Sequence, residues 1–261
     1  MKFLIAYVTD KGIKKQENQD SFLAVMAHTP LGLAAFVVLC DGMGGLAKGE
    51  LASAQVVRAF ADWFERDFPM LCQTPISPAE LQRQWADQIA GLNGQILNYG
   101  KKNKVSLGTT ATGLLLLEKQ YYGFHVGDSC AFQITQALCK LTKDQTLVQR
   151  DLDEKRITWE QAQVDPRKHI LLQCIGASST VQPQFLEGEI ARDAVYMLCS
   201  DGFIHKISEE EIRQAFAPDK MIDQKAMEDV ASYMVEKNKQ RQEMDNITVV
   251  LIRSKWEEEE K

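Results

Sequence analysis

Acidic residues at the ends of apolar runs are the groups in this sequence best placed to do chemistry. Phe36-Val37-Val38-Leu39-Cys40 runs straight into Asp41, and glycines follow at Gly42, Gly44 and Gly45. The pattern returns in Ala194-Val195-Tyr196-Met197-Leu198-Cys199-Ser200-Asp201-Gly202. Each run is too short for a core helix and reads as a strand buried on both faces. The glycines let the backbone turn sharply and leave its amides and carbonyls free to face whatever Asp41 holds. A single Asp-Gly after a strand is ordinarily a turn. Two such endings, joined by acids at two further strand termini, ask for another explanation.

Those further acids are Asp20 and Asp245. Asp20 stands just before an apolar strand, Ser21 to Ala27, and Asp41 closes the next one. The turn His28-Thr29-Pro30-Leu31-Gly32 makes these strands antiparallel neighbours, so the start of one lies beside the end of the other. Asp20 and Asp41 are therefore expected to meet. Asp245 precedes the strand Asn246 to Arg253, and antiparallel pairing with the strand ending at Asp201 would bring this second couple together in the same way. Four carboxylates at one end of a sandwich repel each other without a compensating cation. An all-oxygen set with no neighbouring histidine suits magnesium or manganese better than zinc. The ligand supply fits more than one ion, with Asp41 as the natural bridge. Such a pair can hold a hydroxide and neutralise phosphate oxygens, which is two-metal hydrolysis. Taken singly, Asp128 in Gly127-Asp128-Ser129 is a turn or bulge residue. His125, inside a strand, reads as a packed core side chain, and the other three histidines stand alone. No Gly-x-Ser-x-Gly elbow or glycine-rich nucleotide loop points to a different chemistry.

The elements that must position these acids follow from periodicity. Apolar spacing predicts helices over Gly49–Phe68, on a face of Leu51, Ala54, Val57 and Phe60, and over Ala79–Tyr99. The second presents Leu81, Trp85, Ile89, Leu92, Ile96 and Tyr99, starts at Ser77 or Pro78, and ends at Gly100. A meander of strands is expected over Thr109–Glu118, Tyr121–Val126, Ala131–Thr135 and Leu138–Leu141. The polar stretch Val148 to Lys168 is an insertion between strands, with a short helix around Trp159 to Val164. Strands around Phe185 and Val195, helices over Glu209–Phe216 and Gln224–Asn238, and the strand to Arg253 complete the chain. This order implies an α+β fold: a four-layer α-β-β-α sandwich, two antiparallel sheets flanked by helix pairs, with the acids at one end. Residues 1–255 read as one domain and 256–261 as an acidic tail.

Composition agrees. The chain has 261 residues, is 45% hydrophobic and 25% charged, and carries a net charge of -6 without a Lys/Arg block, which argues against nucleic acid. The start through Asp10 has too short an apolar run for a signal peptide and reads as a first strand, and no stretch is long enough to cross a bilayer. Six cysteines lack CxxC spacing and read as small buried hydrophobes in a reducing, cytoplasmic compartment.

The ordered set of motifs resembles the metal-dependent serine/threonine protein phosphatases of the type 2C (PPM) class in their bacterial form. It runs through Gly12-Ile13-Lys14-Lys15-Gln16-Glu17-Asn18-Gln19-Asp20, Asp41-Gly42-Met43-Gly44-Gly45, Gly108-Thr109-Thr110, Gly127-Asp128-Ser129, Leu141-Thr142-Lys143-Asp144, Ser200-Asp201-Gly202 and Asp245-Asn246-Ile247-Thr248. Ile157 to Ala162 is similar to the family's flap beside the active site. The resemblance implies that Asp41 bridges two manganese or magnesium ions and that Gly42 offers its carbonyl to one. Asp201 and Asp245 would hold the other ion, Asp20 would hold water ligands, and Asp128 with Asp201 would match a third, weaker site. It also implies direct hydrolysis of phosphoserine and phosphothreonine by a metal-bridging hydroxide, with no phosphoenzyme, on the protein substrates of a serine/threonine kinase. A monomer that binds neither nucleic acid nor membrane is expected.

Several positions depart from the family's commoner residues. Lys15 replaces a phosphate-gripping arginine, keeping the charge but losing the two-pronged geometry. Gln19 replaces a glutamate, Met43 stands where some relatives have a histidine general acid, and Leu46, Cys130 and Gln145 replace His, Arg and His. Lys15 and Gln19 keep open the alternative of a catalytically silent relative that binds a phosphoprotein, which the intact Asp20, Asp41, Asp201 and Asp245 oppose. Hydrolysis of another phosphoester is a further alternative.

Overall fold

The computed structural model describes residues 1–44 and 48–256; Gly45 and Leu46 of the second motif, and the tail beyond Trp256, lie outside the described residues. The chain opens with strands β1 (Lys2–Asp10), β2 (Asp20–Thr29) and β3 (Gly32–Gly44). Helices α1 (Gly49–Arg66), α2 (Phe68–Leu71) and α3 (Pro78–Asn103) come next. Strands β4 (Leu107–Thr109), β5 (Ala111–Leu117), β6 (Gln120–Val126), β7 (Cys130–Ile134) and β8 (Leu138–Lys140) lead into helices α4 (Leu147–Asp153) and α5 (Trp159–Val164). After β9 (Gln184–Glu189) and β10 (Asp193–Cys199) follow α6 (Asp201–Ile204), α7 (Glu209–Ala215), α8 (Gln224–Gln240) and β11 (Ile247–Lys255).

Two antiparallel sheets result, ordered β1-β11-β10-β7-β8 and β2-β3-β5-β6-β9, with β4 beside β3. Strand alternation builds the layers. Phe36 and Val38 point outward to Phe60, Trp63 and Trp85 of α1 and α3. Val37 and Leu39 point inward, against Tyr196, Leu198, Val250 and Ile252 of the other sheet. Val195 and Met197 face outward again, to Ile212, Met227 and Met234 of α7 and α8. Both strands that end in the Asp-Gly pattern are thus covered on both faces, which is why they read as unbroken apolar runs.

Three expectations need correction. The middle strands are not one meander: β5 and β6 pair in one sheet, whereas β7 and β8 join the other beside β10. The chain changes sheets at Gly127-Asp128-Ser129, where residue propensity is silent about which sheet comes next. Helix α3 continues past Gly100 to Asn103 and is closed by Lys104 in the left-handed conformation. Gly100 is buried inside it while Tyr99 is exposed. The buried face of α1 is Ala52, Val56, Phe60 and Trp63, with Leu51 exposed, and the buried Ser53 beside them donates to the Gln19 carbonyl and meets the Ser21 hydroxyl. Ser77 caps α3 as expected, its hydroxyl accepting from the Glu80 amide. Helix α4 was hidden in a stretch read only as polar. The insertion is rooted where Leu147 donates to Ile170 and Thr146 pairs with Leu171.

Candidate functional site

Register brings the strand ends to one edge of the sandwich. Asp20 and Asp41 are direct cross-strand partners in the β2–β3 ladder. Cys199 pairs with Val249 on one side and Cys130 on the other, which aligns the residues just beyond these strands: Asp201, Asp245 and Asp128. All of these acids except Asp20 line one cavity of about 840 Å³, together with Lys15, Gly42 and Thr110. Asp20 lies behind, buried. The predicted convergence is therefore observed among the described residues, and Asp128 belongs to it rather than to an isolated turn.

Backbone contact sets the spacing of the loops. A Cβ on Gly42 would collide with the carbonyls of Gly49 and Gln19, and one on Gly202 would collide with the carbonyl of Asn246. Only glycine lets these chains touch. The Gly42 amide donates to the Gln19 carbonyl, 3.1 Å away. Thr110 holds Asp41 from both sides: its hydroxyl accepts from the Asp41 amide and its amide donates to the Asp41 carbonyl, each at 2.9 Å. Thr110 also meets the Ser129 hydroxyl at 2.8 Å, tying the sheet-crossing loop of Asp128 to the same point. Gln145, at a position where histidine is commoner, accepts from the Gly127 amide through its side chain and donates to the Gly127 carbonyl through its own amide. It supports that loop in its own way. The Asn246 side chain stitches residues 11–19 to the start of β11, donating to the carbonyls of Lys11 and Glu17 and accepting from the Gln19 amide.

Electrostatics divides the acids. Burial, followed by the charges of Asp20, Asp201, Asp128 and Asp245, holds the Asp41 carboxyl well above the usual range. Asp41 is partly open to the cavity but otherwise enclosed by protein, which is why burial dominates. Asp20 is pushed up to about 7 by burial and by Asp201 and Asp245, against the hydrogen bonds of Thr248 and Ser200. The Thr248 hydroxyl donates to Asp20 Oδ2 at 2.6 Å. Burial and Asp201 likewise lift Asp128 to about 7. Asp201 goes the other way: burial would raise it, but the hydrogen bond and charge of His205 bring it below the ordinary value.

The residues fit a cation on two observations. Asp20 Oδ1 and Asp201 Oδ1 are buried and find no hydrogen-bond donor among the described residues. Lys15, expected to grip phosphate, sits 2.6 Å from Asp245 Oδ1 and supplies a positive charge there. Its partial burial works against that charge, yet the hydrogen bond and charge of Asp245, then Asp41 and Asp201, hold its pKa above the usual lysine value. Hard oxygen donors with unused lone pairs are what manganese or magnesium requires.

The expectation that no histidine neighbours the acids is wrong. His205 Nε2 lies 3.3 Å from Asp201 Oδ2, its Nδ1 lies 3.4 Å from Glu243 Oε2, and its ring meets that of His169 edge-on at 5.0 Å. Burial would lower the His205 pKa, but Asp201 and Glu243 raise it to about 10. The Asp201–His205 spacing of four residues across a helical turn was the available signal. Glu243, which no motif marked, accepts from the amides of Met244 and Asp245 through its other oxygen, both at 2.9 Å. His125 is a core residue as expected, bonded to Thr112 at 2.9 Å, with burial lowering it to about 4. All six cysteines are free, and four of them, Cys40, Cys72, Cys130 and Cys199, are buried.

Residues 11–224 match the family described as Protein phosphatase 2C. Among curated relatives, the serine/threonine phosphatase stp of Listeria monocytogenes is 29% identical over 251 residues, covering 94% of this chain and 93% of that protein. Among solved structures, the S. agalactiae serine/threonine phosphatase superposes with a TM-score of 0.83 at 25% identity, over 97% of this chain and 100% of that one. The catalytic domain of the serine/threonine protein phosphatase PstP, solved with 2 manganese ions, aligns with a TM-score of 0.75 at 28% identity over 96% of this chain and 97% of that one.

Proposed function

The chain belongs to the protein phosphatase 2C family, and from that premise we propose that it hydrolyses phosphoserine and phosphothreonine on proteins with manganese or magnesium. The observation that carries this reading is the convergence of Asp41, Asp128, Asp201 and Asp245 on one cavity, with Asp20 behind it and with two buried carboxylate oxygens that find no hydrogen-bond partner among the described residues. On this reading Asp41 would hold both ions, the Gly42 carbonyl would help with one, and Asp201 and Asp245 would hold the other. Asp20 orients water, and Asp128 helps Asp201 at a weaker third position. When bound, such ions neutralise phosphate oxygens and activate water for in-line attack. Lys15, which lines the cavity beside Asp245, would supply positive charge to the phosphate. Reaction in one step, without a phosphoenzyme, is part of this reading, and it agrees with a cavity whose lining holds no cysteine or serine among the described residues.

The partners are phosphorylated proteins modified by a serine/threonine kinase, met by a monomeric cytoplasmic enzyme of one domain over residues 1–255. Among the described residues no helix is long and apolar enough to cross a membrane. Lys168, the last residue of the insertion, and Leu171, just beyond it, line the cavity. We read the insertion as shaping substrate choice rather than chemistry. Deleting it should reorder phosphopeptides while sparing a small aryl phosphate; equal loss on both would sink the idea.

The deciding experiment is hydrolysis of a phosphothreonine peptide with manganese, with chelator, and with Asp201→Asn protein. Turnover that needs manganese and disappears in the variant supports the reading. Manganese binding without turnover would replace it with a silent phosphoprotein binder.

A further inference from the structure

His169, Asp201 and His205 each present one ligating atom, and these three atoms lie within 4.8 Å of one another. They come from two pieces of chain: His169 follows the insertion, whereas Asp201 opens α6 and His205 caps its end. The groups that orient them are already in place. Glu243, itself buried, lies 3.4 Å from His205 Nδ1, which leaves Nε2 turned to Asp201 at 3.3 Å. A carboxylate on the far nitrogen is how proteins orient an imidazole that binds metal. The second oxygen of the shared acid, Asp201 Oδ1, is buried without a hydrogen-bond partner among the described residues. It offers a lone pair to an ion without giving up an existing contact.

We propose that His169, Asp201 and His205 form a mixed nitrogen–oxygen site for a zinc-class divalent cation, beside the oxygen-lined manganese site. Imidazole favours zinc, cobalt or nickel over magnesium and manganese, which prefer oxygen. Three protein ligands leave a position for water, as in an open zinc site. The donor set differs in kind from the weak third position implied by Asp128 and Asp201 alone, because two of its three ligands are histidines. Asp201 is the hinge between the sites, so filling the histidine site draws one of its oxygens from the core. His169 makes the same ion a tether for the end of the insertion. The inference rests on the phosphatase reading only in that Asp201 is shared.

The test is cobalt titration of the metal-free full chain, followed by visible absorption, with equilibrium dialysis against zinc and manganese. Wild type is compared with His169→Ala, His205→Asn, and His28→Ala as a control on a distant strand. The expected result is a nitrogen-ligated cobalt spectrum and one zinc per chain that equimolar manganese does not displace. Both signals should weaken at least about tenfold in His169→Ala and His205→Asn, and stay unchanged in His28→Ala. Manganese affinity should persist in His169→Ala, whose exposed side chain is not needed for folding. Cobalt spectra and zinc affinity indifferent to His169→Ala would overturn the site. Manganese-dependent phosphatase assays on the same samples judge the activity separately. Activity with histidine-independent cobalt binding defeats this inference alone; a histidine-dependent spectrum without activity defeats only the phosphatase reading.

Discussion

The two halves of the acidic cluster are built on different principles. Asp20 and Asp41 face each other within a strand ladder, fixed by backbone pairing and by the contact of Gly42 with Gly49. Neither forms an ion pair among the described residues; burial lifts both, helped by the charges of Asp201 and Asp245 at Asp20 and of Asp20, Asp201, Asp128 and Asp245 at Asp41. Asp201 and Asp245 lie just outside the strands, and each brings its own cation: His205 for the first and Lys15 for the second. One half is therefore rigid and short of positive charge. The other is neutralised by side chains that can move aside. A rigid anionic pair stays poised for a metal only while the fold tolerates its repulsion, and the self-neutralised pair keeps that repulsion from spreading across the whole site.

Removing one acid from each half should break this symmetry most visibly. In metal-free protein, Asp41→Asn relieves a buried, repelled charge and should raise the melting temperature, by about 2–4 °C for each kcal/mol relieved. Asp201→Asn removes the partner of the half-buried His205 and should lower it. With manganese the two converge: both should lose turnover by on the order of 10²–10³ or more, the scale of removing one preorganised transition-state contact. Thermal melts with and without metal, beside peptide hydrolysis, read all these effects. A metal-free Asp41→Asn chain less stable than wild type would mean that its carboxylate is compensated after all.

The same contrast predicts an inverted pH dependence. Asp20 and Asp128 titrate near 7 in the folded chain, against an ordinary 3.8. The folded state thus holds protons on these two groups that the unfolded state releases, so the stability they contribute is greatest below about pH 4, where both states are protonated, and falls as pH rises toward 7. Each group contributes a loss on the order of 1 kcal/mol per pH unit between 4 and 7. Urea melts of metal-free protein should show this fall, and saturating manganese should flatten it. A stability that rises through that window without metal would contradict the placement of uncompensated charge on this half.

On the self-neutralised half, Glu243 is the member to perturb. It orients His205 with one oxygen and holds the amides of Met244 and Asp245 with the other. Glu243→Gln keeps the shape but weakens the grip on His205, and metal affinity should fall about 10–100-fold, the usual range for an outer-shell partner. Calorimetric manganese and zinc titrations check this. Unchanged affinity for both would make Glu243 a loop support only.

How much of this was legible beforehand follows from the range of the forces involved. The Asp20–Asp41 pair could be read because a short turn and apolar alternation fix both direction and register. The second pair could be read because a strand end is visible wherever an apolar run stops at Asp-Gly. The sheet change at Asp128 could not, since β7 has the same local propensity in either sheet and only tertiary packing beside β10 selects one. The pairing of β1 with β11, from opposite ends of the chain, is equally invisible to local pattern. His205 was within reach at four residues from Asp201, but α6 is too short for periodicity to reveal it. Glu243 and His169 reach the site through loops whose course no propensity records. The face of α1 was read about one residue out because Ala52 and Ser53 carry little hydrophobic signal although both are fully buried.

Lys15 gives the finest test of the two halves. Its ion pair with Asp245 is short, but the side chains are 42% and 38% exposed, and a pair so open to water is worth little. Lys15→Ala should therefore change metal-free stability by no more than about 0.5 kcal/mol. If a bound ion takes over the neutralisation of Asp245, Lys15 is released toward the phosphate, and its effect moves from stability to substrate. The expected signature is a KM for phosphopeptide raised about three- to tenfold at saturating manganese, with kcat nearly kept, as for loss of uniform binding. Lys15→Arg should restore or improve KM, because a guanidinium can grip phosphate with two prongs. A fall in kcat at constant KM would instead assign Lys15 to the transition state. A large stability loss in Lys15→Ala would show that this half is held as rigidly as the other, and the contrast between them would fail.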